Sequence, residues 1–180
     1  MSAPTPPPFA LDILYQDQHV VILNKPAGVP VHTGPAGGVS VEACFPFLSR
    51  RKDGPWLAHR LDTETSGCLA IALRKQPLIA MQNAFANKTA HKTYWTIVQG
   101  GPEQKQGEIT LPLRKHSTKV QGWRMVPDPK GEPARTTWRV LGRAKGLSWL
   151  ELTLHTGRTH QARVHCAAMG WPIMGDTLYG

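Results

Sequence analysis

Residues 92–99, KTYWTIVQ, alternate strictly: Tyr94, Thr96 and Val98 fall on one face, Thr93, Trp95 and Ile97 on the other. That period of two predicts a strand laid with one face on a core. SWLELTLH (148–155) repeats the pattern, with Leu150, Leu152 and Leu154 set against Glu151 and Thr153. Further toward the N-terminus, LDILYQD and HVVILNK read as two short strands parted by a polar step, followed by loop chemistry in KPAGVPVHTGPAGG. The unbroken apolar run Leu69–Leu73 predicts a central strand buried on both faces. Pro77 suits the first position of a helix over 77–88, with Leu78, Met81, Ala84 and Phe85 at helical spacing. Ser40 is expected to cap a short helix through Leu48. Thr159 is expected to cap another through Met169, closed by Gly170 and then Pro172. Several strands follow one another with no helix between them, so the fold class is α+β, with a mixed, mostly antiparallel sheet and flanking helices.

The 180 residues suit one domain, read as a catalytic or binding body over 11–180 behind a flexible Pro-rich tail at 1–10. Hydrophobic residues make up 41% of the chain, enough for a real core. No apolar run reaches the roughly 20 residues of a membrane helix, and no secretory signal stands at the N-terminus, so no membrane partner is expected. Three cysteines (Cys44, Cys68 and Cys166), odd in number and far apart, form no disulfide framework and point to a reducing, cytoplasmic home.

Charge narrows the partner. The formal net charge is +9, and between Arg114 and Lys145 nine basic residues face only Asp128 and Glu132, which leaves +7 in that stretch. Trp123, Trp138 and a Pro127–Gly131 turn interleave with it. A basic run mixed with aromatics favours a nucleic acid, since lysine and arginine neutralise phosphates and flat rings stack on unpaired bases. Lys119 and Arg124 are candidate phosphate contacts, and the stretch reads as a flexible loop gripping a nucleic acid.

Three places could carry chemistry. In HRLDTETSG (59–67) a charged stretch precedes the run into the core, and Asp62 is either a turn residue or a reactive carboxylate. In HTGRTHQARVH (155–165) a strand end runs into a helix start, where Arg158 and Arg163 add positive charge. His155, His160 and His165 recur every five residues, about 140° around a helix, which is the wrong geometry for two ligands on one face, so no metal is expected. Tyr94, just after Lys92, reads as an ordinary half-buried strand tyrosine. Phosphate loops, dinucleotide-binding glycines, nucleophile elbows, zinc-deaminase motifs and acidic two-metal clusters are not found.

HRLDTETSG, KTYWTIVQG, GRTHQARVH and GWPIMGDTLYG, with ILYQDQHVVILNKPAGVPVH upstream, together resemble the RluA-type family of RNA pseudouridine synthases, in order from about Leu11 to Gly180. The resemblance implies a pseudouridine synthase fold with a basic cleft, and a cofactor-free, metal-free isomerisation of uridine to pseudouridine in structured RNA, rRNA or tRNA. It implies Asp62 as the catalytic aspartate, Tyr94 as the aromatic beneath the base and Arg163 as the basic residue paired with the carboxylate. Arg60 would help expel the target base, and His59 and Arg158 are further candidate substrate contacts. Cys68, Ala162 and Cys166 stand where the family has larger aliphatics, and Cys68 reads as core rather than nucleophile. The family pattern continues past LYG, so the chain is expected to be either naturally short or truncated after Gly180. With no room for an extra RNA-binding domain ahead of Leu11, target selection is expected to fall to the catalytic domain, acting as a monomer. The competing reading is a catalytically weak RNA-binding or chaperone module on the same fold. A cofactor-free glycoside hydrolase lacks a second carboxylate beyond Glu64.

Overall fold

A computed structural model gives the fold and describes residues 7–34, 37–118 and 122–180. Residues 1–6 of the Pro-rich tail and Lys119 lie outside the described residues. The chain divides into two compact units, one up to Ala90 and one from His91 onward.

In the first unit, β1 (Ile13–Gln16), β2 (Val20–Lys25), β3 (Trp56–Leu57) and β4 (Gly67–Ala72) form a sheet in the order β1-β2-β4-β3. All of its pairings are antiparallel. Val21 and Leu23 of β2 meet Leu69 and Ile71 of β4 in a core that also takes Val31, Val41 and Leu48. The expectation that β4 is buried on both faces holds only in part. Leu69, Ile71 and Ala72 are buried, but Ala70 is half-buried and Cys68 is exposed, because an antiparallel sheet can leave one face to solvent. Exposure also removes Cys68 from the core, against expectation. The Ser40 segment forms a 3₁₀ turn (Glu42–Cys44) and then the short helix α1 (Phe45–Leu48), and Ser40 Oγ accepts the Ala43 N–H at 3.1 Å. Helix α2 (Lys75–Ala86) begins two residues earlier than expected. Pro77 is its third residue, still within the first turn where no N–H is needed.

In the second unit, β5 (Thr93–Gln99), β6 (Gln106–Ile109), β9 (Thr136–Ala144) and β10 (Leu147–Leu154) form a second antiparallel sheet in the order β5-β10-β9-β6. The alternations of 92–99 and 148–155 set its two faces. Val98, Leu150 and Leu152 are buried, Tyr94 and Leu154 pack against them, and Trp95 and Trp149 lie on the outer face. Strands β7 (Leu113–Thr118) and β8 (Gly122–Pro127) pair with each other as a separate hairpin. Helix α3 (Gln161–Ala168) closes the unit.

Two expectations change here. His160, not Thr159, is the N-cap of α3, in the left-handed conformation at φ 53°. No side chain caps the helix; the Gln161 Oε1 instead accepts the Arg158 N–H of the preceding turn at 3.1 Å. The 114–145 stretch is also not a loop, since it holds a hairpin and the whole of β9 between β10 and β6. Four of its nine basic side chains are engaged: Arg114 pairs with Asp128, Arg135 with Glu108 and Arg139 with Glu151, while Arg143 Nη2 donates to the carbonyls of Pro102, Glu103 and Gln104. Trp138 is core, edge-on to Trp171 at 5.5 Å, and so offers no face to a base.

Candidate active site

The first unit presents Asp62 on a turn built by its neighbours. Thr65 N–H returns to the Asp62 carbonyl at 3.1 Å, and Gly67, at φ 117°, turns the chain into β4 where a side chain would be strained. Two groups from the KPAGVP loop then reach the carbonyl of Thr63: the Gly28 N–H at 2.8 Å and Lys25 Nζ at 3.0 Å. Lys25 is fully buried and also donates to the carbonyls of Pro26 at 2.8 Å and Val29 at 2.7 Å. Its ammonium thus spends three donors on three carbonyls and ties two loops together. Burial lowers its pKa, and the nearby Glu64 and Asp62 carboxylates oppose that shift. In sequence Lys25 reads as no more than the start of a loop. The signal that marks it is a lone charge ending an apolar strand, directly before proline.

His59 anchors the other side of the turn. Its Nε2 accepts the Ala70 N–H at 3.0 Å, so in the neutral ring the proton sits on Nδ1, and the ring packs 4.8 Å from Phe85 of α2. Arg60 is exposed and Asp62 half-buried.

The second unit carries the other candidates. Tyr94 lies on β5 opposite Leu152, half-buried on the core-facing side. Arg163 projects from α3, and its guanidinium grips Asp176 in two bonds, Nε to Oδ2 at 2.7 Å and Nη2 to Oδ1 at 2.8 Å. The pair is secluded, with side chains 14% and 4% exposed. Burial pushes the Asp176 carboxyl upward, but the Arg163 bonds and the N–H groups of Leu178 and Tyr179 outweigh it and hold the pKa down to about 2. Sequence alone gives Asp176 no part, because its partner lies thirteen residues back.

Arg158 is committed locally, paired with Glu132 and donating from Nε to the Pro133 carbonyl at 3.1 Å. Arg124 is exposed on β8 opposite His116.

The three histidines serve separate ends. His155 meets Thr137 at 3.0 Å, and His160 meets the Tyr179 hydroxyl at 2.8 Å. His165 is fully buried between Thr136 Oγ1 and the Leu111 carbonyl, each at 2.9 Å, and burial lowers its pKa. Among the described residues no group of histidine, cysteine, aspartate and glutamate side chains could hold a metal.

The model of the family described as RNA pseudouridylate synthase matches residues 19–168, from the start of β2 to the end of α3. The chain belongs to the RNA pseudouridine synthase family. It is 42% identical over 180 residues to an uncharacterized RNA pseudouridine synthase of Zymomonas mobilis, covering 97% of this chain and 80% of that one. A ribosomal large subunit pseudouridine synthase D from the same organism is 35% identical, over 97% of this chain and 57% of its own length. Such relatives put the chain in the RluA-type branch of the synthases, though it spans little more than half of the second one. Among solved structures, Human RNA Pseudouridylate Synthase Domain Containing 1 superposes with a TM-score of 0.82 at 26% identity, over all of this chain and 73% of that one. The turn before β4 and the α3 segment both fall inside the matched region.

Proposed function

We propose that this synthase isomerises uridine to pseudouridine in a structured rRNA or tRNA, with Asp62 as its catalytic carboxylate. The reaction breaks the N1–C1′ bond, turns the uracil, joins C5 to C1′ and releases the C5 proton, so no atoms are gained or lost apart from exchange with water. One carboxylate suffices, either by attacking C1′ or by removing the C2′ proton as the glycosidic bond cleaves. Tyr94 offers a flat face for an extruded base and a hydroxyl for proton handling, and Arg163 supplies positive charge. Arg60 takes up the space a flipped nucleotide leaves. Lys25, His59 and Gly28 orient the Asp62 turn. Arg124 and Lys119 hold phosphates, and the chain works as a monomer in the cytoplasm without metal or cofactor.

The observation that carries this reading is the construction of the Asp62 turn, where a fully buried lysine secures the backbone of a half-buried aspartate. A turn serving only to reverse the chain does not call for a buried charge. No helix among the described residues is long and apolar enough to cross a membrane.

Tritium release from RNA labelled at uridine C5, taken from cells lacking the gene, tests the proposal. Wild type is expected to release tritium, and Asp62→Asn to lose at least about a thousandfold in rate while keeping RNA affinity. Binding without release by wild type would instead favour an RNA-binding or chaperone module.

A further inference from the structure

Tyr179 makes two kinds of contact with two different parts of its side chain. Its ring lies under Arg163, whose guanidinium carbon is 5.2 Å from the ring centroid. Its hydroxyl accepts the N–H of Met125 on β8 at 3.0 Å and meets His160 Nδ1 at 2.8 Å. The residue itself is fixed by a tight turn. Asp176 Oδ1 accepts the N–H groups of Leu178 at 2.9 Å and Tyr179 at 3.1 Å, and Gly180 N–H returns to the Asp176 carbonyl at 3.0 Å. A side chain at Gly180 would collide with that carbonyl. The same aspartate therefore sets the head group of Arg163 and the backbone of Tyr179.

On the hairpin side, β8 has β7 as its one strand neighbour among the described residues, so its outward N–H groups have no ladder to join. Tyr179 takes the one at Met125. Two residues earlier, Trp123 stacks on His160, with centroids 5.3 Å apart and planes 23° apart, and Lys115 of β7 lies 4.8 Å from the Trp123 centroid. The hairpin otherwise exposes Arg114, Lys115, His116 and Arg124, a basic ribbon suited to a phosphate backbone. Trp123 is thus a fastening for the ribbon, not the base-stacking platform that composition suggests.

We propose that Tyr179 is a positioning residue that couples this hairpin to Arg163, so that the grip of the ribbon on RNA fixes the orientation of the arginine. The inference rests on the synthase reading above for its effect on rate, although the coupling itself is physical and stands apart from turnover. The Tyr179 ring lies under Arg163 and edge-on to His160 at 5.6 Å, while its hydroxyl takes the Met125 N–H of the hairpin, so one side chain touches both groups that must act in concert.

The test is single-turnover tritium release from the C5-labelled RNA with enzyme in excess, which separates the saturating rate from the half-saturating enzyme concentration. Tyr179→Phe keeps the ring under Arg163 and removes the hydroxyl link. It is expected to lower the saturating rate about fivefold, within the usual range of coupling between sites, and to move half-saturation little. Trp123→Ala loosens the same link from the other end, so the double variant should be no slower than the slower single. A saturating rate within twofold of wild type, or losses that multiply in the double variant, would overturn the coupling.

A second readout needs no turnover. The Arg163 Nε–H resonance, assigned by its loss in Arg163→Lys, should shift when an oligouridylate is added to wild type and stay still in Tyr179→Phe. A shift that persists in Tyr179→Phe sinks the coupling even if wild type releases no tritium. Absent release with a hydroxyl-dependent shift sinks the synthase reading and leaves the coupling standing.

Discussion

Asp62 stands on a turn held by its backbone, whereas Arg163 stands on a helix and is held by its own head group. In the first unit the holding charge, Lys25, bonds to carbonyl oxygens, and one of these belongs to Thr63, the residue after Asp62. In the second the holding charge, Asp176, takes the guanidinium directly in a two-pronged pair. The difference fits what each group must do in the proposed chemistry. A carboxylate that is to react needs its location fixed while its oxygens remain available, and securing the peptide beside it achieves that. An arginine that supplies charge and shape can be clamped, because a guanidinium has five donors and spends only some of them on one carboxylate.

The largest effect should come from breaking the backbone hold. Lys25→Met keeps roughly the same volume but takes the ammonium from the Pro26 and Val29 carbonyls in a closed interior, while the Thr63 carbonyl keeps the Gly28 N–H. It is expected to cost roughly 4 kcal/mol, measured by urea denaturation, with tritium release abolished in whatever fraction remains folded. Near-wild-type stability would mean the two loops hold without the lysine.

Breaking the head-group hold should cost less and depend on pH. The Asp176 carboxyl titrates near 2 in the folded protein, below its ordinary value of 3.8. Its ionised form therefore stabilises the fold above about pH 4, and that contribution fades as pH falls from there through 2. It amounts to roughly 2–3 kcal/mol at neutral pH. Asp176→Asn should thus be less stable than wild type at pH 7 by about that amount, and the two should converge near pH 2. Urea titrations at a series of pH values read this directly, and a constant gap at every pH would show that hydrogen bonding, not charge, makes the clamp.

The smallest effect sharpens the contrast between charges that hold the protein and charges proposed to hold RNA. Lys119→Ala with Arg124→Ala should leave Tm unchanged and weaken RNA binding. The slope of log affinity against log salt should fall by about 1 for each phosphate that is no longer neutralised. An unaltered slope would take the hairpin out of the interface.

Periodicity makes the second sheet readable without coordinates. Tyr94 and Val98 face in and Trp95 faces out because a strand's alternation is a property of neighbouring residues alone. The HRLD and GRTHQARVH segments stand out because polar side chains crowd against apolar runs. What stays hidden depends on partners far along the chain. Lys25 finds Thr63 thirty-eight residues on, and Trp123 finds His160 thirty-seven residues on. The nine basic residues of 114–145 look alike in sequence, yet Arg135 and Arg139 are neutralised by Glu108 and Glu151, which lie outside that stretch. The α3 N-cap falls on His160 instead of Thr159, in a left-handed conformation that residue type alone does not mark.

The buried polar chain at the start of α3 has a consequence for how the sequence can drift. The Leu111 carbonyl can only accept, so His165 carries its proton on Nε2 and must accept at Nδ1 from Thr136. The Thr136 hydroxyl, having donated there, accepts from the Gln161 amide, whose oxygen in turn takes Thr156 and the Arg158 N–H. Every link runs in one direction, and each residue's chemistry dictates its neighbour's. Serine is a natural replacement at position 136, because it keeps a hydroxyl that can give and receive at once. Valine there would strand a donor on one side and an acceptor on the other. Each of these positions is therefore expected to vary only among side chains that keep its donor and acceptor roles.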